Sequence, residues 1–521
     1  MKELVYHRQL LPAVEQNADK MAFHDGDHHA TFAEHLDRVA RLCQALAKEL
    51  DVTRNDRYAV IAANSHRFLE LYHAGFLGAG VVNPLNLRLN PEELAFILQD
   101  SGTRVVFTDA LFAGLVDQVR ERAGIERVVL MGGAPTGGGP PGTDYEELLA
   151  AHDPVLPAEP DESDPVILMY TSGTTGLPKG VLLDQRAEML NLYHIGMAVG
   201  FEEDRVFLHQ TPMFHAASMG GVLGIPASGA VSVFVPLFEP AAVLDAIERY
   251  RVDYTVMVPV MISLLMNDPS FRAERIASLR TLVYGASPMP AGLLTRLRNE
   301  FPDIDLLQGY GMTEASAVLT FLTPKDHRCD GDRLRSAGRA ARGVSITVQD
   351  EDGQALPIGR VGEVCARAGN LMAGYWNRAE DTADAFRGGW YHTGDAGHLD
   401  EQGFLYLVDR VKDMIVTGGE NVYSIEVENA IATHPAVAQV AVIGIPHDLW
   451  GEAVHAIVVL NPGASATAEE IIEHARKTIA GYKVPKSVEF RTTALPLSGA
   501  LKPLKRELRE PYWHGRERAV N

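Results

Sequence analysis

Between Thr31 and about Glu314 the sequence alternates amphipathic helical patterns with short apolar runs, and this alternation limits the fold more than any other feature. Thr31 to Leu50 places Phe32, Leu36, Val39, Leu42 and Leu46 on one helical face. Arg57 to Ala63 reads as a short apolar strand, His66 to Leu77 as a helix, and the stretches 105–108, 111–123 and 127–131 continue the alternation. Such an order implies parallel sheets covered by helices. Gly132 to Gly142 is rich in Gly and Pro and reads as a surface loop. From Ser336 to Leu407 the pattern changes to short strands with turns, near 344–348, 362–366 and 404–408, which predicts a small β-barrel. After Asp409 a distinct unit follows. Ser424 opens a helix that Pro435 stops, strands are expected over 437–445 and 454–460, and Thr467 with Glu470 forms a capping box. The helix behind that box puts Ile471, Ala475 and Ile479 on one face. The expected fold is α/β: a large N-terminal domain, residues 1–410, of two α/β subdomains plus a small β-barrel, then a small α+β C-terminal domain, residues 411–521.

The chain has 521 residues and a formal net charge of −21. That charge argues against a nucleic-acid partner and against docking on anionic lipid through a basic surface. An anionic substrate must then be held by local groups: a few Lys or Arg, helix N-termini and a metal ion. The three cysteines, Cys43, Cys329 and Cys365, form no CxxC pair, which fits a reducing compartment. Met1 to Asn17 carries charges throughout and has no apolar signal-peptide stretch. The longest apolar stretch, Val222 to Phe238, is broken by Gly224, Pro226, Gly229 and Pro236 and reads as buried strand and turn, so no transmembrane segment is expected. A cytoplasmic enzyme is expected, with peripheral membrane contact and a homodimer left open.

The strongest local signal runs from Tyr170 to Gly180, behind the apolar strand expected over 165–169. Gly173, Gly176 and Gly180 let backbone N–H groups come close to an anion, Thr171, Ser172, Thr174 and Thr175 add hydroxyl donors, and Lys179 supplies charge. No GK[ST] follows at the required distance, so this is not a Walker loop. Farther on, Gln308 to Glu314 reads QGYGMTE. There Tyr310 offers a ring that can stack on a base, and Thr313 and Glu314 offer oxygens to phosphate and Mg²⁺. Asp395, after Thr393 and Gly394, can accept from two ribose hydroxyls.

With these segments in this order, together with Trp390 to Asp395, Asp409 to Glu420 and the tail around Lys502, the chain resembles the adenylate-forming superfamily over nearly its whole length. That superfamily comprises acyl- and aryl-CoA synthetases, peptide-synthetase adenylation domains and beetle luciferases, and the bacterial fatty-acyl-CoA ligases look most similar. The resemblance implies ATP, Mg²⁺ and coenzyme A as cofactor and co-substrates. It makes Asp395 the ribose ligand and brings Arg410 to the ribose or phosphates. Gly285, Ala286 and Ser287 become the adenine and acyl-pocket loop, with Gly309, Tyr310, Gly311 and Met312 beside the nucleotide. It places His215 at the border of the acyl pocket, a position where a lone histidine is more often an ordinary core residue. Lys502 aligns with the family's catalytic lysine, and Lys502, Thr313, Glu314 and His215 are the residues expected in catalysis, with Glu314 on the metal.

The resemblance also implies a mobile small domain that turns about a hinge at Lys412. Adenylation then brings up Lys502, and thioester formation brings up Gly418, Gly419 and Glu420 along a pantetheine tunnel. This tail departs from the family where Leu501 replaces the usual glycine and Pro503 follows the lysine. Lys505, Arg506 and Arg509 read as a solvated basic tail. The expected reaction is an ATP-dependent acid–CoA ligation of a fatty acid. An aryl acid, or delivery of the acyl group to a carrier protein, stays open, and a catalytically dead binding protein is disfavoured by the retained motif residues.

Overall fold

Thr31 ends its own strand and caps the next helix: its hydroxyl accepts the Glu34 amide, and the Glu34 carboxylate accepts the Thr31 N–H. The helix Phe32–Lys48 that follows buries Phe32, Val39, Leu42 and Leu46 along one side, as its periodicity predicts. The computed structural model describes residues 4–132, 142–171, 178–410, 413–417, 420–447, 449–497 and 503–514.

Two large sheets carry the first part of the chain. One has the strand order Gly374–Tyr375, Lys179–Asp184, Pro165–Thr171, Val81–Pro84, Arg57–Ile61, Val105–Thr108, Arg127–Leu130, Thr143–Asp144. Its strands from Pro165–Thr171 through Thr143–Asp144 pair in parallel, as buried βαβ units require. The other has nine strands, with Val206–His209, Tyr254–Met257, Thr281–Gly285 and Asp305–Tyr310 parallel at its centre. The first hairpin, Met21–Asp25 with His28–Thr31, joins this second sheet, so the chain begins in one layer and then builds the other. The two-subdomain α/β expectation holds.

The small β-barrel does not form. Ser345–Gln349, Gly362–Arg367, Tyr391–Leu399 and Leu405–Arg410 make an open four-stranded antiparallel sheet whose first and last strands do not pair with each other. Closure is not needed, because Val364, Ala366 and Leu405 bury their side chains in one cluster with Leu307, Tyr310 and Phe321 of the nine-stranded sheet. The stretch Val222 to Phe238 is also part helix: residues 220–224 and Ile225–Ala227 are helical, and the strand is Val231–Phe234. Gly224 serves close packing, since a Cβ there would lie 2.3 Å from Phe201, while Gly229, with φ of 74°, makes the turn before the strand.

The last part forms its own five-stranded sheet, with Gly451–Leu460 at its centre, Val437–His447 antiparallel to it at the edge and Ser487–Arg491 parallel to it. The helices Ser424–Ala432 and Ala468–Arg476 cover it, and Ile471, Ala475 and Ile479 pack into its core as read from the sequence. The tail differs from a solvated basic segment. Lys505 has a side chain 12% exposed and pairs with Glu428 at 2.7 Å, while Arg509 pairs with Asp413 at 2.8 Å. The helix Lys505–Trp513 packs on the sheet through Leu508, which turns both cations inward. No helix among the described residues is long and apolar enough to cross a membrane.

Candidate functional site

Thr171, Gly285 and the segment from Tyr310 to Glu314 lie at or just past the carboxyl ends of parallel strands, the usual position for ligands in open α/β sheets, while Lys179, Asp395 and Arg410 stand on antiparallel strands. Thr171 ends the strand Pro165–Thr171 and pairs with Lys179, the first residue of Lys179–Asp184. On the other side of that strand comes Gly374–Tyr375, from far along the chain, with Tyr375 opposite Val181. This addition places Lys179 over the Tyr375 ring, 5.2 Å from its centre, and 2.9 Å from Oδ1 of Asp381. The hydrogen bond from Lys179 holds the Asp381 carboxyl below its ordinary range. Ser172, Gly173, Thr174, Thr175 and Gly176 lie outside the described residues.

Tyr375 also links to the second sheet. Its hydroxyl donates to Oε1 of Glu314 at 3.0 Å, and Glu314 sits in the single turn Thr313–Ala315 after the strand Asp305–Tyr310. Burial first, and then the Glu314 charge, push the Tyr375 phenol well above its usual range, so it stays a donor. Tyr391 donates to Sδ of Met312 at 3.4 Å, which ties the strand Tyr391–Leu399 to the same turn.

Gly285, the last residue of its strand, stands directly opposite Gly309, one residue before the end of the neighbouring strand. A Cβ on Gly285 would stand 2.3 Å from the Gly309 carbonyl oxygen, and one on Gly311 would stand 2.0 Å from that of Ala317, so both positions require glycine. Beside them Ala286, Ser316 and Ala317 have φ of 64°, 54° and 140°. Non-glycine residues hold such angles only where their surroundings enforce them. For the second turn the enforcement comes from Asn370, whose Nδ2 donates to Ala315 O and Val318 O at 2.8 Å each, while Ser316 Oγ donates to Asn370 O at 3.0 Å. Ser287 is half-buried beside Ala286.

Asp395 is 7% exposed, and its Oδ2 accepts the Tyr310 hydroxyl at 2.7 Å. It stands on a bulge: Glu363 pairs with Ala396 and Cys365 with His392, so two steps along one strand face four along the other. Gly394 takes φ of 70° within the bulge and donates its N–H to Oε1 of Glu363 at 3.1 Å. Thr393 donates to Val364 O at 2.7 Å and accepts the Asp395 N–H at 3.1 Å. Arg410 is the cross-strand partner of Asp395. His215 is half-buried, and its Nδ1 accepts the Ala217 N–H at 3.2 Å, capping the turn Ala216–Ser218.

The structure therefore brings Lys179, Glu314, Met312, Tyr310 and Asp395 into one connected cluster, with Gly285 beside Gly309. Glu420 is exposed and belongs to the separate five-stranded sheet, where it pairs with Thr417. Lys412, Gly418, Gly419, Leu501 and Lys502 fall outside the described residues. Sequence reasoning missed Tyr375, Asp381, Tyr391 and Asn370. The run Gly374-Tyr375-Trp376-Asn377 was a readable signal, being aromatic and turn-forming at once.

Comparison with known proteins follows the same outline. The sequence matches the family model for AMP-binding enzymes over residues 11–376 and that for the AMP-binding enzyme C-terminal domain over residues 426–502. It is 38% identical over 495 residues to the feruloyl-CoA synthase of an Amycolatopsis species, covering 94% of this chain and 96% of that one. It is 34% identical over 498 residues to the long-chain-fatty-acid–CoA ligase FadD13 of Mycobacterium tuberculosis, covering 93% and 94%. The fold superposes with a TM-score of 0.84, at 29% identity over 96% of this chain and 97% of the other, on the o-succinylbenzoate CoA synthetase of Bacillus subtilis solved with its acyl-adenylate intermediate.

Proposed function

The chain belongs to the AMP-binding enzyme family and is an AMP-forming ligase, and on that premise we propose that it joins a carboxylic acid to coenzyme A in two steps. In the first, a carboxylate oxygen attacks the α-phosphorus of ATP and pyrophosphate leaves. In the second, the coenzyme A thiolate attacks the acyl carbon and AMP leaves. A carboxylate is a poor acyl donor because its carbonyl is electron-rich, and the mixed anhydride with AMP removes that obstacle.

Residues 1–410 would bind nucleotide and acid, and residues 411–521 would act as the mobile partner. Asp395 would accept from the ribose hydroxyls, Arg410 would lie near them, and Tyr310 would lie against adenine. Gly285, Ala286, Ser287, Gly309 and Gly311 would let adenine and acid approach the backbone closely. Thr171, the loop 172–176, Lys179 and Thr313 would hold the phosphates, and His215 would border the acid. Glu314 accepts one hydrogen bond among the described residues, so its carboxylate keeps lone pairs for a hard cation. It fits Mg²⁺, which would arrive with ATP and neutralise phosphate charge. Lys502 would meet the charge that develops on phosphorus. A turn at Lys412 would then exchange Lys502 for Gly418, Gly419 and Glu420, which would line the path of pantetheine.

The observation that carries this reading is Asp395, a carboxylate nearly removed from water, aimed by a bulge and held by Tyr310 at the end of a parallel strand. For the acid, a fatty acid is the first reading, supported by the likeness to FadD13. The 38% identity to feruloyl-CoA synthase favours an arylpropenoic acid as the second. One assay separates them: AMP and acyl-CoA formed from ATP, coenzyme A and either decanoate or ferulate. Ten-fold or greater preference for either acid in kcat/KM, about 1.4 kcal/mol, assigns the class. ADP as product would overturn the reaction itself.

A further inference from the structure

Glu363 and Cys365 are two residues apart on the strand Gly362–Arg367, so their side chains leave the same face of the sheet. His392 is the cross-strand partner of Cys365. A carboxylate, a thiol and an imidazole are thus gathered on one face, with ligand atoms within 4.8 Å of one another. Cys365 Sγ lies 3.4 Å from His392 Nδ1, and Glu363 Oε2 lies 2.8 Å from the same nitrogen. The other ring nitrogen, Nε2, faces the Arg387 carbonyl oxygen at 3.2 Å. A neutral imidazole has one N–H for these two acceptors. Where Nε2 holds it, Nδ1 presents a lone pair beside the carboxylate and the thiol, a set of three donors that a cation can share.

We propose that Glu363, Cys365 and His392 form a binding site for a borderline-soft divalent cation of the zinc class, separate from the Mg²⁺ that accompanies ATP. The donor set decides the class: Mg²⁺ and Ca²⁺ take oxygen, whereas sulfur, nitrogen and oxygen together suit Zn²⁺ and Co²⁺. Tetrahedral bonds of about 2.0–2.3 Å put the ligand atoms roughly 3.3–3.6 Å apart. The sulfur-to-nitrogen distance already fits, and the nitrogen-to-oxygen pair must open by roughly half an ångström, with water as fourth ligand. The bond from Nε2 to Arg387 O is the kind that orients a metal-bound histidine. Arg387 competes, since its Nη2 sits 2.8 Å from Glu363 Oε2, but Asp384 at 3.6 Å offers it another partner.

The site spans the bulge that carries Asp395. Glu363 holds the Gly394 N–H, so drawing its carboxylate toward an ion loads that turn and weakens nucleotide binding. This coupling rests on Asp395 as the nucleotide ligand, while the binding itself does not.

The test starts with full-length enzyme stripped of metal by chelator and dialysis, then titrated with Co²⁺ in the absence of nucleotide. One equivalent should bind with thiolate-to-cobalt absorption in the near ultraviolet, be displaced by Zn²⁺ and be indifferent to Mg²⁺. Cys365→Ser should abolish the band, and Cys329→Ser, which removes a partly exposed thiol while the buried Cys365 stays, should keep it. His392→Asn, a second variant that leaves the thiol in place, should weaken Co²⁺ binding at least about ten-fold. Absence of stoichiometric binding, or a band that survives Cys365→Ser, overturns the site. AMP affinity, measured by calorimetry on metal-free and Zn²⁺-loaded enzyme, should fall about five-fold or more on loading. Equal affinities overturn the coupling.

Discussion

Lys179 is held by Asp381 at 2.9 Å, and a phosphate reaching that lysine must share it with a carboxylate or displace one. The pair is partly exposed, so its intrinsic strength is modest. Asp381→Asn should therefore lower KM for ATP by about two- to five-fold with kcat nearly unchanged, since an exposed pair contributes up to about 1 kcal/mol. An unchanged or higher KM would show that Lys179 does not serve the phosphates. Lys502→Ala should slow acid-dependent pyrophosphate exchange by about 10²-fold or more while sparing thioester formation from supplied acyl-adenylate, the scale of one lost donor to developing charge. Near-normal exchange would mean another residue has that role. At this scale the motif residues were legible because each carries its chemistry in its type: glycines where no Cβ fits, Asp395 after Thr-Gly, Glu314 after Thr. The place of Asp381 and Tyr375 beside Lys179 was not. They matter because the edge strand Gly374–Tyr375 returns beside Lys179, and nothing local in the sequence announces that pairing.

Helix Gln185–Val199, behind the glycine-rich segment, carries a carboxyl that the proposed reaction does not use. Glu188 is fully buried, no ion pair compensates its charge among the described residues, and burial, opposed only in part by the nearby Asn191 side chain, raises its pKa from the ordinary 4.5 to about 8. In the unfolded chain it ionises near 4.5 and in the folded chain only near 8, so its share of stability is whole below 4.5, is lost as pH rises from 4.5 to 8, and stays lost above. Glu188→Gln keeps the volume without the charge. Its melting temperature relative to wild type should rise by several degrees between pH 5 and pH 8.5. A pH-independent difference would contradict this. The tail helix Lys505–Trp513 gives a second test, because Lys505 and Glu428 are paired out of water. Lys505→Met should destabilise the C-terminal part by about 3–5 kcal/mol in denaturant unfolding, and adding Glu428→Leu should recover much of it. Loss below 1 kcal/mol would mean the pair is solvated as its basic sequence first indicated. Capping boxes and apolar periods were legible because they are local. The open four-stranded sheet was not, because the nine-stranded sheet against which it packs, and not its own strand pattern, makes closure unnecessary.

On the scale of the molecule, Asp409 at the end of the four-stranded sheet accepts the Ser424 N–H from the first helix of the C-terminal part, and Arg509 of the tail helix holds Asp413. The segment around Lys412 is thus flanked by anchors on both sides. If the C-terminal part turns between half-reactions, the backbone there must change, and proline fixes φ near −65°. Lys412→Pro should leave pyrophosphate exchange within a few-fold and cut acyl-CoA formation by about 10²-fold. Equal loss of both in a well-folded variant would exclude alternation about this point. The layered order of the whole was legible from helix and strand periods, while the way two half-reactions share one site came from resemblance alone. The central claim, that the chain first makes an acyl-adenylate, is tested most directly by exchange of labelled pyrophosphate into ATP without coenzyme A. The account predicts exchange that requires the carboxylic acid and depends on Asp395 and Lys502. Exchange indifferent to the acid, or its absence with an acid that the enzyme converts to acyl-CoA, would contradict it.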